Sequence, residues 1–291
     1  MSTATLLIAK KIKDMRFILK VTEALQLISS AKLKNYRKIA YRSHEYCVGI
    51  KFLFKKFYDS YEHDFTVTNK KFLLAEKIHK KLVLLVVIGT DLALCGRFNK
   101  QIVDYIKSNF YEKHTLLVVF GKKITSLLAN TPFKDKIIKS YNSEFPFANY
   151  STHIEKCTNY LLKEYVNRGC YFLQIVHKSP SKPFKLKKLL PFTEDYFGGV
   201  ERSIRYETHE YKVHTPDCVV EMFPTFFERT LQLSLVESKI AEHNLRKDVM
   251  SNAIKAAEEK LQEYQILYRK MKQAVITQEI SEITAAIKVK S

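Results

Sequence analysis

The chain has 291 residues, 46% of them hydrophobic, which is enough for a real core and excludes a disordered polyelectrolyte. Its 49 Lys and Arg against 30 Asp and Glu give a formal charge of +19, which favours an acidic partner: nucleic acid, an anionic membrane or an acidic protein surface. The longest apolar run, Leu82 to Ile88, falls far short of the ~20 residues of a membrane span.

All seven prolines lie between Pro132 and Pro224, and all seven glycines between Gly49 and Gly199. Two uninterrupted helical ends therefore flank a middle rich in turns. At the start, Ile8, Ile12, Met15 and Leu19 recur at spacings of four, three and four, and Val21, Ala24, Ile28 and Ala31 continue at three and four. This predicts one apolar face of a long helix. The helical pattern continues through Cys47 to Phe57, with Gly49 its weak point.

The middle alternates. "KLVLLVVIGT" (Lys81 to Thr90) is an apolar, β-branched run ending in a turn, as a buried parallel strand should be. Phe98 to Phe110 reads as helix, "TLLVVFG" (Thr115 to Gly121) as a second strand, Tyr150 to Asn167 as a second helix and "CYFLQIVH" (Cys170 to His177) as a third strand. "KSPSKPFKLKK" (Lys178 to Lys188) reads as a basic loop or edge segment. Strand–helix–strand alternation predicts an α/β layer.

At the C-terminal end, Met250, Ile254, Ala257, Leu261, Tyr264, Tyr268, Met271 and Val275 alternate steps of four and three, a heptad seam. The ~60 residues after Pro224 would span roughly 90 Å as helix. A compact domain cannot bury such a rod along its length. The expected solution is an antiparallel coiled coil of the two end helices, the alternative being two core helices of an ordinary α/β protein. The expected domains are a helix over 1–60, an α/β domain over 78–215 and a second helix over 216–291.

Chemistry is sparse. "GTDLALCGRFN" (Gly89 to Asn99) places an acid and a thiol, Asp91 and Cys95, after the first strand, a position fit for a nucleotide loop or a nucleophile. Yet the chain has neither GxGxxG nor GxxxxGK[ST], so no glycine-rich phosphate cradle is expected. His153 and Cys157 share a helix face, but two ligands do not make a zinc site, and His209 and His214 are equally isolated. The five cysteines form no CxxC pair and are expected as reduced thiols. Basic residues crowd the start (Lys10, Lys11, Lys13, Arg16, Lys20, then Lys32, Lys34, Arg37 and Lys38), with Tyr36 and Tyr41 interleaved. A nucleic-acid face, a solvated helix face and a surface docking acidic protein all fit that pattern. A nucleotide-dependent α/β enzyme is a further class to test.

"YRKMKQAVITQEISEI" (Tyr268 to Ile283) resembles the C-terminal signature of the gamma subunit of F-type ATP synthases, close to YNKARQAxITxEIxEI. Lys272 stands where that family has arginine. "KKIKDMRFILKVTEALQLISSAKL" (Lys10 to Leu33) is similar to the family's N-terminal helix, except that Phe17-Ile18-Leu19 replaces its Asn-Thr-Gln. "DLALCGRFN" resembles the loop DRGLCGGFN, keeping Asp91, Leu94, Cys95, Gly96, Phe98 and Asn99, with Ala93 and Arg97 in place of two glycines. "ESKIAEHNLRKDVMSNA" (Glu237 to Ala253) and "PDCVVEMFPTFFE" also agree, so the resemblance runs from about residue 8 to 287.

The resemblance implies a non-catalytic rotor: an antiparallel coiled coil of the end helices carrying a Rossmann-like α/β domain, set inside a ring of alternating catalytic and non-catalytic ATPase subunits. It implies no cofactor in this chain, with Mg-ATP and Mg-ADP held by the partner subunits. Arg16, Lys20, Leu25 and Arg246 become the positions facing an acidic loop of the catalytic subunits. Lys272, Gln273, Thr277, Gln278 and Glu279 become the contacts by which the ring grips the shaft. The Asp91, Leu94, Cys95, Gly96, Arg97 and Asn99 loop belongs to the globular end, which in this family meets an epsilon subunit and a membrane ring. The two lost glycines leave open a specialised motor driving another load. Peripheral attachment at the cytoplasmic side of the cell membrane, without nucleic acid, is the matching expectation.

Overall fold

The computed structural model describes residues 3–60, 82–144, 150–180, 184–190 and 217–290. Helix α1 runs Thr3–Ser60 and passes through Gly49 without a break. A layer of strands β1 (Val83–Ile88), β2 (Thr115–Phe120), β3 (Ile137–Tyr141), β4 (Phe172–His177) and β5 (Lys185–Leu190) follows. It is interleaved with α2 (Phe98–Asn109), α3 (Lys122–Leu128) and α4 (Tyr150–Asn167). Helix α5, Asp217–Lys290, closes the described chain and contains Pro224.

Sheet order is β3-β2-β1-β4-β5. The first four strands are parallel, and β5 is antiparallel at the edge beside β4. The strand pleat sends alternate residues to opposite faces. On one face Leu84, Val86 and Ile88 meet Ile154, Leu161 and Tyr165 of α4 and Phe223, Phe226 and Phe227 of α5, with Ile50 of α1. On the other, Leu85 and Val87 meet Phe98, Ile102 and Ile106 of α2 and Ile124 and Leu128 of α3. This is the α/β layer that the alternation predicts, Rossmann-like as the resemblance implies. The short β3, "IIKSY", and the seven-residue α3 carry too little periodicity to be read from sequence.

Contacts divide the chain into two compact units, Met1–Ala31 with Arg246–Ser291, and Lys32–Leu245. Within the second unit α1 and α5 run antiparallel. Tyr36 stacks on His243 with ring centroids 5.6 Å apart, the Arg229 guanidinium lies 5.0 Å from the Tyr46 ring, and Ile50 joins the cluster around Phe223. Leu33 and Tyr36 pack with Val236 and Ile240.

Within the first unit the remaining segments of the same two helices pair. Lys11 Nζ lies 5.6 Å over the Tyr264 ring. Met250 and Ala257 are buried and Ile254, Leu261, Tyr264, Tyr268, Met271 and Val275 half-buried, so the heptad seam of α5 is the packed face.

The α1 seam departs from its apolar reading after Leu19. Val21, Ala24, Ile28 and Ala31 are exposed, whereas Thr22 and Ser29 are buried. Their hydroxyls donate to the carbonyls of Ile18 (2.7 Å) and Leu25 (2.8 Å), four residues back in the same helix. A back-bonded hydroxyl needs no further partner, so Thr and Ser can fill a seam that a search for apolar residues passes over.

A polar cluster lies where β4 and β5 meet α5. His177 is fully buried; its Nδ1 donates to the Lys178 carbonyl at 3.0 Å, and its Nε2 lies 3.5 Å from the Glu237 carboxylate. Lys185 and Lys187 converge on the same carboxylate at 3.3 and 3.8 Å, and Lys187 also donates to Ser234 Oγ at 2.9 Å. Cys47, Cys95, Cys157 and Cys170 are buried free thiols. The side chain of Cys218 lies outside the described residues.

Candidate functional site

The strand-end loop sits at the point where chain order reverses across β1, the crevice that in open α/β sheets commonly holds a ligand. Here the chain fills it. Asp91 accepts from the backbone N–H of Lys122 on Oδ1 (2.9 Å). On Oδ2 it accepts from the N–H and hydroxyl of Ser143 (both 2.9 Å) and from the N–H of Glu144 (3.0 Å). A carboxylate so occupied is a structural acceptor rather than a general base.

Asn99 Oδ1 accepts from Thr90 N–H at 3.1 Å, and its Nδ2 donates to the Thr90 hydroxyl at 2.7 Å. The Cys95 thiol is buried, 3.7 Å from that hydroxyl and 3.9 Å from the Leu92 carbonyl, neither of them a base for a thiol. Leu94 and Gly96 take φ of 64° and 58°, making the left-handed turns of the loop. Arg97, where the family has glycine, sits at φ −87° just before α2. Any residue adopts that backbone, so the substitution changes the loop's surface without straining it.

Gly89 is demanded by packing. A Cβ there would stand 2.5 Å from Ile124 Cγ2 and 2.8 Å from Asn99 Oδ1. Gly89→Ala is therefore expected to cost about 1–3 kcal/mol, read as a lower denaturant midpoint with unchanged slope. An unchanged midpoint would show that α3 can withdraw from β1 freely.

Cys157 of the His153–Cys157 pair is buried, with its thiol pushed up to about 11 by burial, partly opposed by a hydrogen bond with Tyr141. Among the described residues no three His, Cys, Asp or Glu side chains come together as a metal site. His209 and His214 lie outside the described residues.

The outward-facing candidates fall on the two long helices. Arg16 and Lys20 are exposed on α1 and Leu25 is half-buried. Arg16 also lines an open groove of about 480 Å³ with Ala9, Ile12, Gln265, Tyr268 and Arg269. Arg246 differs from the other three. It is 6% exposed, so packing within its own chain leaves little of it for another protein. Its place in the sequence motif does not disclose that burial.

Lys272, Gln273, Thr277, Gln278 and Glu279 are all exposed on α5. Thr277 Oγ1 donates to the Gln273 carbonyl at 3.0 Å and Gln278 Nε2 to Glu282 Oε1 at 2.9 Å. This polar band overlaps the end of the seam, at Met271 and Val275, and runs past it. Starting within it and running beyond, Ile276, Ile280, Ile283 and Ile287 recur at steps of four, three and four, with exposures from 44% to 65%. The helix thus keeps an apolar stripe after its packed seam has ended. No helix among the described residues is long and apolar enough to cross a membrane.

A family model described as ATP synthase matches residues 5–288. The chain belongs to the ATP synthase gamma-chain family. Among its relatives, the ATP synthase gamma chain of Mycoplasma mobile is 26% identical over 285 residues, with 96% of each chain covered. That of Chlorobium phaeobacteroides is 28% identical over 290 residues, covering 96% of this chain and 95% of the relative. A chain in the structure of the Euglena gracilis mitochondrial ATP synthase OSCP/F1/c-ring superposes with a TM-score of 0.65 at 16% identity, covering 98% of this chain and 94% of that one. A chain of the Tetrahymena thermophila central stalk and c-ring gives 0.57 at 18% identity, covering 80% and 99%. These likenesses establish that the chain shares the fold of those proteins over most of its length. Sequence reading did not find Ser143 and Glu144, the partners of Asp91 in the turn after β3. They meet it only through the fold, and no local spacing marks them.

Proposed function

We propose that this chain is the central-stalk rotor of an F-type rotary ATPase, coupling ATP hydrolysis or synthesis in a surrounding ring to rotation. The carrying observation is the outward polar band Lys272–Glu279 on a helix whose seam is already engaged, in a chain of the gamma family. The rotor itself is non-catalytic and needs no cofactor. Nucleotide with Mg belongs to the alternating catalytic and non-catalytic subunits of the ring. Arg16, Lys20 and Leu25 face an acidic loop of the catalytic subunits, with Arg246 supporting that region from within. Lys272, Gln273, Thr277, Gln278 and Glu279 are the gripping contacts. Polar contacts suit a shaft that must be held and then passed from one ring subunit to the next. The globular end, including the exposed Leu94 and Arg97, meets an epsilon subunit and membrane ring or another load, at the cytoplasmic side of the membrane. Identifying the subunits bound to that end separates a proton-driving rotor from one turning something else.

Replacing Gln273, Thr277 and Glu279 together with Ala tests the grip. Ala has the highest helix propensity and all three side chains are exposed, so the free chain should melt within a few degrees of the parent. In the assembled ATPase each lost hydrogen bond should cost on the order of 0.5–3 kcal/mol, appearing as weaker rotor retention or lower torque in single-molecule rotation. Unchanged rotation with a large fall in the free chain's melting temperature would remove the grip from this account.

A further inference from the structure

Asp91 stands at the centre of a hydrogen-bonded assembly that reaches well beyond its own loop. Through one carboxylate it joins the end of β1, the first residue of α3 and the turn after β3. That turn is tied to both long helices. Lys239 of α5, itself buried, donates to Ser143 Oγ at 2.8 Å and to Glu242 Oε2 at 2.9 Å. Lys32 of α1 forms an ion pair with Glu144. Burial raises the Glu144 carboxyl, but the bond to Lys32, with the charges of Lys32, Lys239 and His243, outweighs it and leaves the group below its ordinary value. The Ser143 hydroxyl donates to Asp91 and accepts from Lys239, so its single proton and a lone pair are both in use.

We propose that Asp91 is a positioning residue: it holds the Ser143–Glu144 turn as a bracket between the sheet and both long helices, and rotation of α1 and α5 is delivered to the α/β layer through Lys32–Glu144 and Lys239–Ser143. This rests on the rotor reading. The apolar contacts of Phe223, Phe226 and Phe227 press α5 on to the sheet, but apolar contact is non-directional and resists sliding poorly. Hydrogen bonds weaken steeply off axis, so they fix an angle. A bracket gripping one helix alone would let the other shear past; this one holds both. Aspartate suits the task because both of its oxygens accept. Asn at the same position would turn an NH2 group towards one set of donors.

The test uses the assembled ATPase, with a bead attached through Tyr111→Cys, an exposed position of the α/β layer. The readout is the angular variance of the bead during catalytic pauses, which reports torsional stiffness rather than folding. Asp91→Asn and Lys32→Met should each raise that variance at least twofold. In Asp91→Asn the Ser143 and Glu144 amides should exchange hydrogen at least tenfold faster. Lys32→Met removes a half-exposed ion pair and does not threaten the fold, so it carries the test if Asp91→Asn does not assemble. Lys32→Arg, which keeps the charge facing Glu144, should retain the parent variance. Parent variance in Lys32→Met, or the same rise in Lys32→Arg as in Lys32→Met, overturns the bracket. A parent chain that neither joins an ATPase ring nor rotates overturns the rotor reading instead.

Discussion

Replacing Phe227 with alanine lowers the stability of the free chain by about 3–5 kcal/mol, the range for deleting a buried aromatic ring. Phe227 is fully buried, and its ring stacks on Phe223 with centroids 6.1 Å apart and planes at 12°. The same cluster contains Leu84 and Val86 of β1, Ile154 of α4 and Ile50 of α1. Phe227 therefore belongs to the cluster that joins α5 with the sheet, α4 and α1. Domains are typically stable by about 5–15 kcal/mol, so this loss is roughly a third to a half of a middling value. Urea unfolding followed by circular dichroism measures it. The control is Phe17→Ala, a residue of the same type 68% exposed on α1, which should stay within about 0.5 kcal/mol of the parent. Equal effects at the two positions would mean that the packing of α5 on the sheet does not carry the fold.

Acidification gives the second large effect. Burial, aided by the Lys187 charge, depresses His177 from 6.5 to about 3, against the opposing pull of Glu237. The folded chain keeps this imidazole neutral over a range in which the unfolded chain protonates it. Between pH 6.5 and 3 the unfolded state binds more protons, so stability falls as pH falls. At about 1.4 kcal/mol per unit, His177 alone should remove about 3 kcal/mol by pH 4. Glu237 adds to the loss. Burial raises its carboxyl, but Lys187, His177 and Lys185 together hold it below its ordinary value, so its stabilisation is present at neutral pH and lost as pH falls through the folded value. Lys187 acts in the opposite range. Burial lowers it to about 8, so between pH 8 and 10.5 stability should climb with pH. Denaturant titrations of the parent and of His177→Gln across pH 4–7 check the assignment. The variant should show a flatter slope; identical slopes would place the acid sensitivity elsewhere.

Much of the architecture was legible because the relevant signals are periodic and long. The heptad of α5 names its packed face residue by residue from Met250 to Val275. The β-branched runs of β1, β2 and β4 announce central strands, since both faces of each are covered. The basic segment expected at an edge contains β5, whose alternating lysines reach the buried Glu237 cluster. Illegibility had three physical sources. Thr22 and Ser29 satisfy their own hydroxyls and so disguise a seam as a surface. The five residues of β3 hold little more than two strand periods, and the seven of α3 less than two turns of helix. Arg246 looks like a surface cation until its packing is seen. In the loop after β1, the motif identified Asp91 but not its work, because the groups it serves, on Lys122, Ser143 and Glu144, lie on other elements.

The isoleucine stripe at positions 276 to 287 bears on how a cell supplies this subunit. The stripe has no apolar cover within its own chain among the described residues, and an unsupported helix of that length is marginal in water. A copy made in excess of its ring carries a sticky, easily frayed end that a quality-control protease would engage first. The abundance of this chain should therefore track that of its partners rather than its own rate of synthesis. In cells depleted of the ring subunits its half-life should shorten, and replacing the four isoleucines with Gln should lengthen it again while abolishing assembly.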